Sequence, residues 1–192
     1  QKLIGMSRIL MNFWNNIIIR KYLLIIILGL LSLNSFSQEL IEVKALSGNV
    51  SVFVPKNFGV MPMHILEIKY PTSRRPTEAL SNKTGTVSLV FNHTTNAMKP
   101  SQIREAHTFI SKNFHNTFPD ANWIRDEVIE QNGSAFMVME LITPAVDDNI
   151  HNILYGTSVD GRFLIVAFNT TIEESAEWLA VGKRVMASLS VR

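Results

Sequence analysis

Two stretches of this chain are apolar on both sides when read as extended backbone, and this limits the possible folds more than any other feature. In Ser134 to Thr143, Phe136, Val138 and Ile142 fall on one side and Ala135, Met137, Met139 and Leu141 on the other. In Arg162 to Thr170, Phe163, Ile165 and Ala167 oppose Leu164, Val166 and Phe168. Such strands must be covered on both faces, because apolar area left wet contributes nothing to folding. Two dipeptides set the connectivity. Asn132-Gly133 joins the two runs of Trp123 to Thr143, and Asp160-Gly161 joins Asn149–Val159 to Arg162–Thr170. Both pairs suit a two-residue type I′ turn, whose central residues need positive φ. The expectation is an α+β fold, an α/β/α sandwich in which helices cover a central antiparallel sheet that includes a four-strand meander.

Helical periodicity supplies the covers. From Pro100 or Ser101 to Phe118, Ile103, Ala106, Ile110, Phe114 and Thr117 form one stripe, with His107 and Phe118 on its margin. Pro119 ends that helix. At the C-terminus, Thr171 and Glu174 have the spacing of a capping box. They precede a stripe of Trp178, Leu179, Gly182, Val185, Met186 and Leu189. A glycine inside a helix costs about 1 kcal/mol against alanine, so Gly182 signals a close approach of this helix to the sheet. Upstream, Glu39 to Leu46, Val50 to Pro55, His64 to Tyr70 and Thr86 to His93 read as strands. Lys56 to Gly59 reads as a loop, and the prolines make Pro71 to Pro76 irregular.

The first 37 residues have the pattern of a secretory signal peptide. Arg20-Lys21 precedes the apolar run Tyr22 to Leu33, and Ser35-Phe36-Ser37 offers small residues before Gln38. The run is short for a bilayer span of about 20 residues. The alternative is an uncleaved anchor, extended by Ile17, Ile18 and Ile19, which is the one route to a membrane. Met11 reads as a true start. The expected organisation is therefore a signal peptide over 1–37 and a single domain over 38–192, exported to the periplasm or secreted. Residues 1–37 hold Lys2, Arg8, Arg20 and Lys21 of the 18 basic side chains and none of the 16 acidic ones. Without them the formal charge of +2 becomes −2, which leaves no electrostatic footprint for nucleic acid. The chain has no cysteine, so an exported form must rest on its core and cannot carry a lipobox lipid. The five Asn-x-Ser/Thr sequons, at Asn49, Asn82, Asn92, Asn132 and Asn169, read as coincidence in an Asn-rich chain.

The ordered set Val54-Pro55-Lys56-Asn57-Phe58, Tyr70-Pro71 with Arg75-Pro76, Gly85-Thr86-Val87, and Trp178 with Lys183-Arg184 and Ser188-Leu189 resembles the Mog1/PsbP-like superfamily and its bacterial DcrB-like branch. The resemblance runs from about Val50 to Val191. It implies an α/β/α sandwich and an accessory, assembly or chaperone-like binding role without enzymatic activity. It carries over no catalytic or binding residue, and the absent lipobox cysteine departs from many DcrB-like proteins.

Reactive constellations are not evident in the sequence. His107 and His115 lie eight apart with no acidic residue three or four positions from either, and His64, His93 and His151 sit on separate strands or strand ends. They read as surface or strand-end histidines, so no metal and no cofactor is expected. There is no Gly-x-Ser-x-Gly elbow. Asp147-Asp148 offers an acid–base or calcium pair, and more simply a solvated loop. Phe109 reads as packed, and of Met61, Met63, Met98, Met137 and Met139 the last two read as core. The one candidate site is the loop of Tyr70, Arg74 and Arg75, where paired guanidinium groups beside an aromatic ring suit a carboxylate or a partner's acidic segment. The function expected is a non-enzymatic, exported binding or assembly module with a protein partner, acting through a sheet edge or the loops at one end of the sandwich. The alternatives are a small-molecule or lipid carrier and a periplasmic inhibitor or immunity-type protein.

Overall fold

The structure is a computed structural model that describes residues 38–145 and 148–192. The signal-peptide reading of 1–37 and the Asp147 half of the acidic pair lie outside the described residues. In chain order the elements are β1 (Leu40–Ala45), β2 (Val50–Pro55), β3 (Gly59–Val60), α1 (Met63–Lys69), β4 (Glu78–Ser81) and β5 (Val87–Ala97). There follow α2 (Ile103–Thr117), β6 (Asn122–Gln131), β7 (Ser134–Pro144), β8 (Asn149–Val159), β9 (Arg162–Thr171), α3 (Ile172–Ala187) and β10 (Ser190–Val191). Seven strands form one antiparallel sheet in the order β3-β4-β5-β9-β8-β7-β6. β1, β2 and β10 form a separate three-stranded sheet. The fold class is α+β, a three-layer sandwich.

The doubly apolar strands are covered as their composition requires. On one face Phe136, Val138, Leu164, Val166 and Phe168 join Trp178, Val185 and Met186 of α3 and Val50, Val52 and Val54 of β2 in the main core. On the other face Met137 and Phe163 meet Ile103 of α2. Val90 and Ala167 lie beneath α1, against Met61, Ile65, Leu66 and Tyr70. Both hairpins take the type I′ form, with φ of 50° and 81° at Asn132 and Gly133 and 49° and 69° at Asp160 and Gly161. The first turn also binds the end of α3. The Gln131 amide donates to the Met186 and Leu189 carbonyls and the Asn132 amide to Leu189, all at 2.9 Å, which satisfies carbonyls that a helix end leaves open. β6 is the long edge of the sheet, and its pairing with β7 slips between Trp123 and Arg125.

Several expectations need correction. His64 to Tyr70 is not a strand: Met63–Lys69 is a helix, with the Leu66 amide bonded to the Pro62 carbonyl. Its half-buried residues Ile65, Leu66 and Tyr70 follow buried Met61 at a spacing of four, one and four, a helical stripe that a two-residue alternation splits. β3 and β4 were not anticipated, being only two and four residues long. Phe109 is 69% exposed and Thr117 is also exposed, because α2 turns a narrower face to the sheet than its stripe suggests. The capping box is half formed. The Thr171 hydroxyl accepts from the Glu174 amide, but the Glu174 carboxylate accepts from the Thr86 hydroxyl at 2.8 Å instead of reaching back.

The histidines of α2 have an acidic partner after all, supplied by β6. Asp126 accepts from His107 Nε2 at 2.7 Å, from Ser111 Oγ at 2.5 Å and from His115 Nε2 at 3.1 Å. The His115 ring also stacks on Trp123 with centroids 3.7 Å apart. Burial works against the ionised Asp126, yet the hydrogen bonds from Ser111, His107 and His115 prevail and hold its carboxyl below the ordinary value.

Two predictions follow from this packing. A Cβ on Gly182 would lie 2.3 Å and 2.4 Å from ring carbons of Phe168, which is itself fully buried. Overpacking of about 1–3 kcal/mol outweighs the gain of about 1 kcal/mol in helix propensity. Gly182→Ala therefore lowers stability in urea unfolding, and a stabilised variant would refute the close contact. For Asp126, a folded pKa below the unfolded one gives stability that is present above about pH 4 and lost as pH falls through the folded value. Asp126→Asn should destabilise at neutral pH by an amount that shrinks in acid, whereas a gap unchanged from pH 7 to pH 3 counts against the charge-based account.

Candidate functional site

The face carrying α1 and α2 is wider than those two helices, and the strip between them is an open groove made of three adjoining clefts. The first, of about 400 Å³, is lined by Arg74, Arg75, Thr77, Asn92, His93, Thr94 and Ile165. The second, of about 380 Å³, shares Thr94 and Ile165 with it and continues along α2 over Met98, Ile110, Phe114 and Phe163. The third, of about 450 Å³, shares Asn92 and runs the other way, between Lys69 and Tyr70 on one side and Thr143 and Ile150 on the other.

Strand register builds the polar floor of the third cleft. Ser88 of β5 pairs with Asn169 of β9, which pairs with Asn152 of β8, and these three form a row across the sheet. The Asn152 amide donates to the Thr143 hydroxyl and to the Leu141 and Ile150 carbonyls, which fixes its orientation. Ser88 Oγ, wholly buried, has no hydrogen bond of ordinary geometry among the described residues. Tyr70 closes this end. Burial raises the pKa of its hydroxyl, opposed by Ser88 and Asn169 beside it. Lys69 sits above, its ammonium donating to the Gly85 carbonyl. Burial lowers the pKa of Lys69 and Glu174 opposes the shift.

The middle of the groove is cationic. Arg74 and Arg75 are both exposed, and Arg75 reaches Glu67 at 3.3 Å. His93 also lines this cleft; its Nδ1 accepts from the Arg162 guanidinium at 3.1 Å and its Nε2 donates to the Val159 carbonyl at 3.0 Å, which sets the tautomer. The far end is apolar, with Phe109 standing at its rim.

Of the three residues singled out by sequence, Arg74 and Arg75 share the central cleft, and Tyr70 does not join them. The chain leaves α1 before the arginine turn, so Tyr70 faces the sheet through the helical stripe while the arginines face solvent. Only Asn92 links the two clefts. The asparagine row went unnoticed because its members lie on three strands far apart in sequence, and only cross-strand register assembles them. Alternation along β5 puts Ser88, Val90 and Asn92 on one side, the local signal of this floor. Among the described residues, no three His, Cys, Asp or Glu side chains are grouped to hold a metal ion, and no helix is long and apolar enough to cross a membrane.

No protein-family model and no curated protein matches the chain. Among solved structures, the solution structure of cyanobacterial PsbP (CyanoP) from Synechocystis is similar at a TM-score of 0.56 and 11% identity, over 81% of this chain and 94% of that one. A crystal structure from Bacteroides thetaiotaomicron is similar at a TM-score of 0.51 and 10% identity. It aligns with 81% of this chain, which spans 49% of that protein's length. Identities this low speak for the backbone alone. With a seven-stranded antiparallel sheet held between helices in this order, the chain has a fold of the PsbP/Mog1-like kind.

Proposed function

We propose that this protein is an exported, non-enzymatic binding module whose groove holds an extended, acidic segment of a protein partner. The observation that carries this reading is the order of chemistries along one groove: amides and hydroxyls, then two exposed guanidinium groups, then an apolar trough. Asparagine amides pair with backbone N–H and C=O groups, arginines pair with carboxylates, and the trough takes an apolar side chain. A cationic centre on a domain of formal charge −2 favours an anionic occupant. Export rests on the basic, apolar and small-residue pattern of the first 37 residues. A carrier of small apolar molecules is less well supported, because an open trough leaves much of such a ligand in water.

The test is a cross-linking pull-down from the cell envelope with wild-type protein and an Arg74→Ala, Arg75→Ala variant. The variant should lose its partner by about tenfold or more, the scale of one or two charge-assisted hydrogen bonds. Retention at wild-type affinity removes the arginine turn from the account. Native mass spectra showing a small molecule in place of a protein partner would favour a carrier.

A further inference from the structure

The opposite face of the sheet holds a pocket of about 360 Å³ between β6–β8 and the C-terminal half of α3. Its deepest polar group is Glu140, in the middle of the apolar run of β7, with a side chain only 5% exposed. His151 Nε2 donates to Glu140 Oε1 at 2.8 Å, and the Lys183 ammonium lies 3.2 Å from the same oxygen. His151 is thus a buried core residue, not the surface or strand-end group its position suggests. Both contacts fall on Oε1. Among the described residues Oε2 takes neither contact and is not sealed in the core, so it is the oxygen open to the pocket.

Around that oxygen the pocket gathers two cations and an aliphatic wall. Arg125 of β6 is the direct cross-strand neighbour of Glu140, which places the two side chains next to each other. Arg125 is tethered to Glu127 and to the Tyr155 hydroxyl. Lys183, half exposed, lies on the other side. Ile124, Ile153 and Ala187 make the apolar lining. An amine alone would meet Glu140 but enter beside two cations, each held by a single carboxylate, whereas an anion alone would meet the buried carboxylate. A ligand carrying both charges on adjacent atoms matches both.

We propose that this pocket binds a free aliphatic α-amino acid. Its ammonium group donates to Glu140 Oε2, its carboxylate pairs with Arg125 and Lys183, and its side chain lies against Ile124, Ile153 and Ala187. The site is independent of the groove, which occupies the other face of the sheet. A peptide terminus brings only one of the two charges, so the free amino acid is the matching chemistry.

The test is titration of the full chain with L-leucine, isoamylamine and 4-methylpentanoate. These probes carry both charges, the ammonium alone and the carboxylate alone, and binding is followed by calorimetry and by amide NMR shifts at Ile153 and Tyr155. Leucine should bind at least tenfold more tightly than either analogue. Arg125→Gln, a change at a partly exposed edge residue, should weaken leucine about tenfold and leave isoamylamine unchanged. Glu140→Gln should abolish both, with thermal unfolding used to confirm that the variant folds. Leucine binding no tighter than the analogues, or unaffected by Arg125→Gln, overturns the proposal and leaves Glu140, His151 and Lys183 as a structural cluster holding water alone.

Discussion

The need to bury β7 and β9 on both faces governs the rest of this structure. Phe136 and Val138 look one way and Met137 and Met139 the other, all almost fully buried. Leu164, Val166 and Phe168 likewise back onto Phe163, Ile165 and Ala167. No single layer satisfies such strands. The chain therefore places α3 and the small β1-β2-β10 sheet on one side and α1 with α2 on the other. The side with α3 is packed to the point that a glycine is required where the helix axis crosses Phe168. The other side is covered by helices of seven and fifteen residues, which leave a strip of sheet bare.

That difference between the faces separates their chemistry. On the close-packed side, a buried polar cluster sits at one end, where Glu140 is held by His151 and Lys183. On the incompletely covered side, the bare strip is furnished with side chains that tolerate water, including the Ser88–Asn169–Asn152 row. The proposed partner groove thus falls where covering stops, and the sheet beneath holds its side chains in register.

Much of the architecture was legible because it is written in local pattern. Asn132-Gly133 and Asp160-Gly161 named their own turns, and Thr86 to His93 read as a strand, whose Val87, Leu89 and Phe91 lie in the core. Thr171 marked the start of α3, and Gly182 announced its contact. What escaped depends on distance along the chain. His107 and His115 show no partner in their own helix because Asp126 comes from β6, and Glu140 could have been recognised as unusual only as a lone acid inside Phe136-Met137-Val138-Met139 and Leu141. The short helix α1 was misread because seven residues offer barely two turns of periodicity, and Ile68, 81% exposed, breaks the apolar stripe. Arg74 and Arg75 were found as a pair by adjacency, whereas the separation of Tyr70 from them follows from the direction in which the helix delivers the chain.

The bulge at Trp123 to Arg125 has a consequence for the solution behaviour of the protein. β6 ends the sheet with ten residues of backbone, and a flat edge of that length is a template onto which another copy can add and start a fibre. The slip in register bends this edge, and Arg125, Asp126, Glu127 and Glu130 load it with charge that an incoming strand would have to desolvate. The sheet is thereby protected against growing from its longest side.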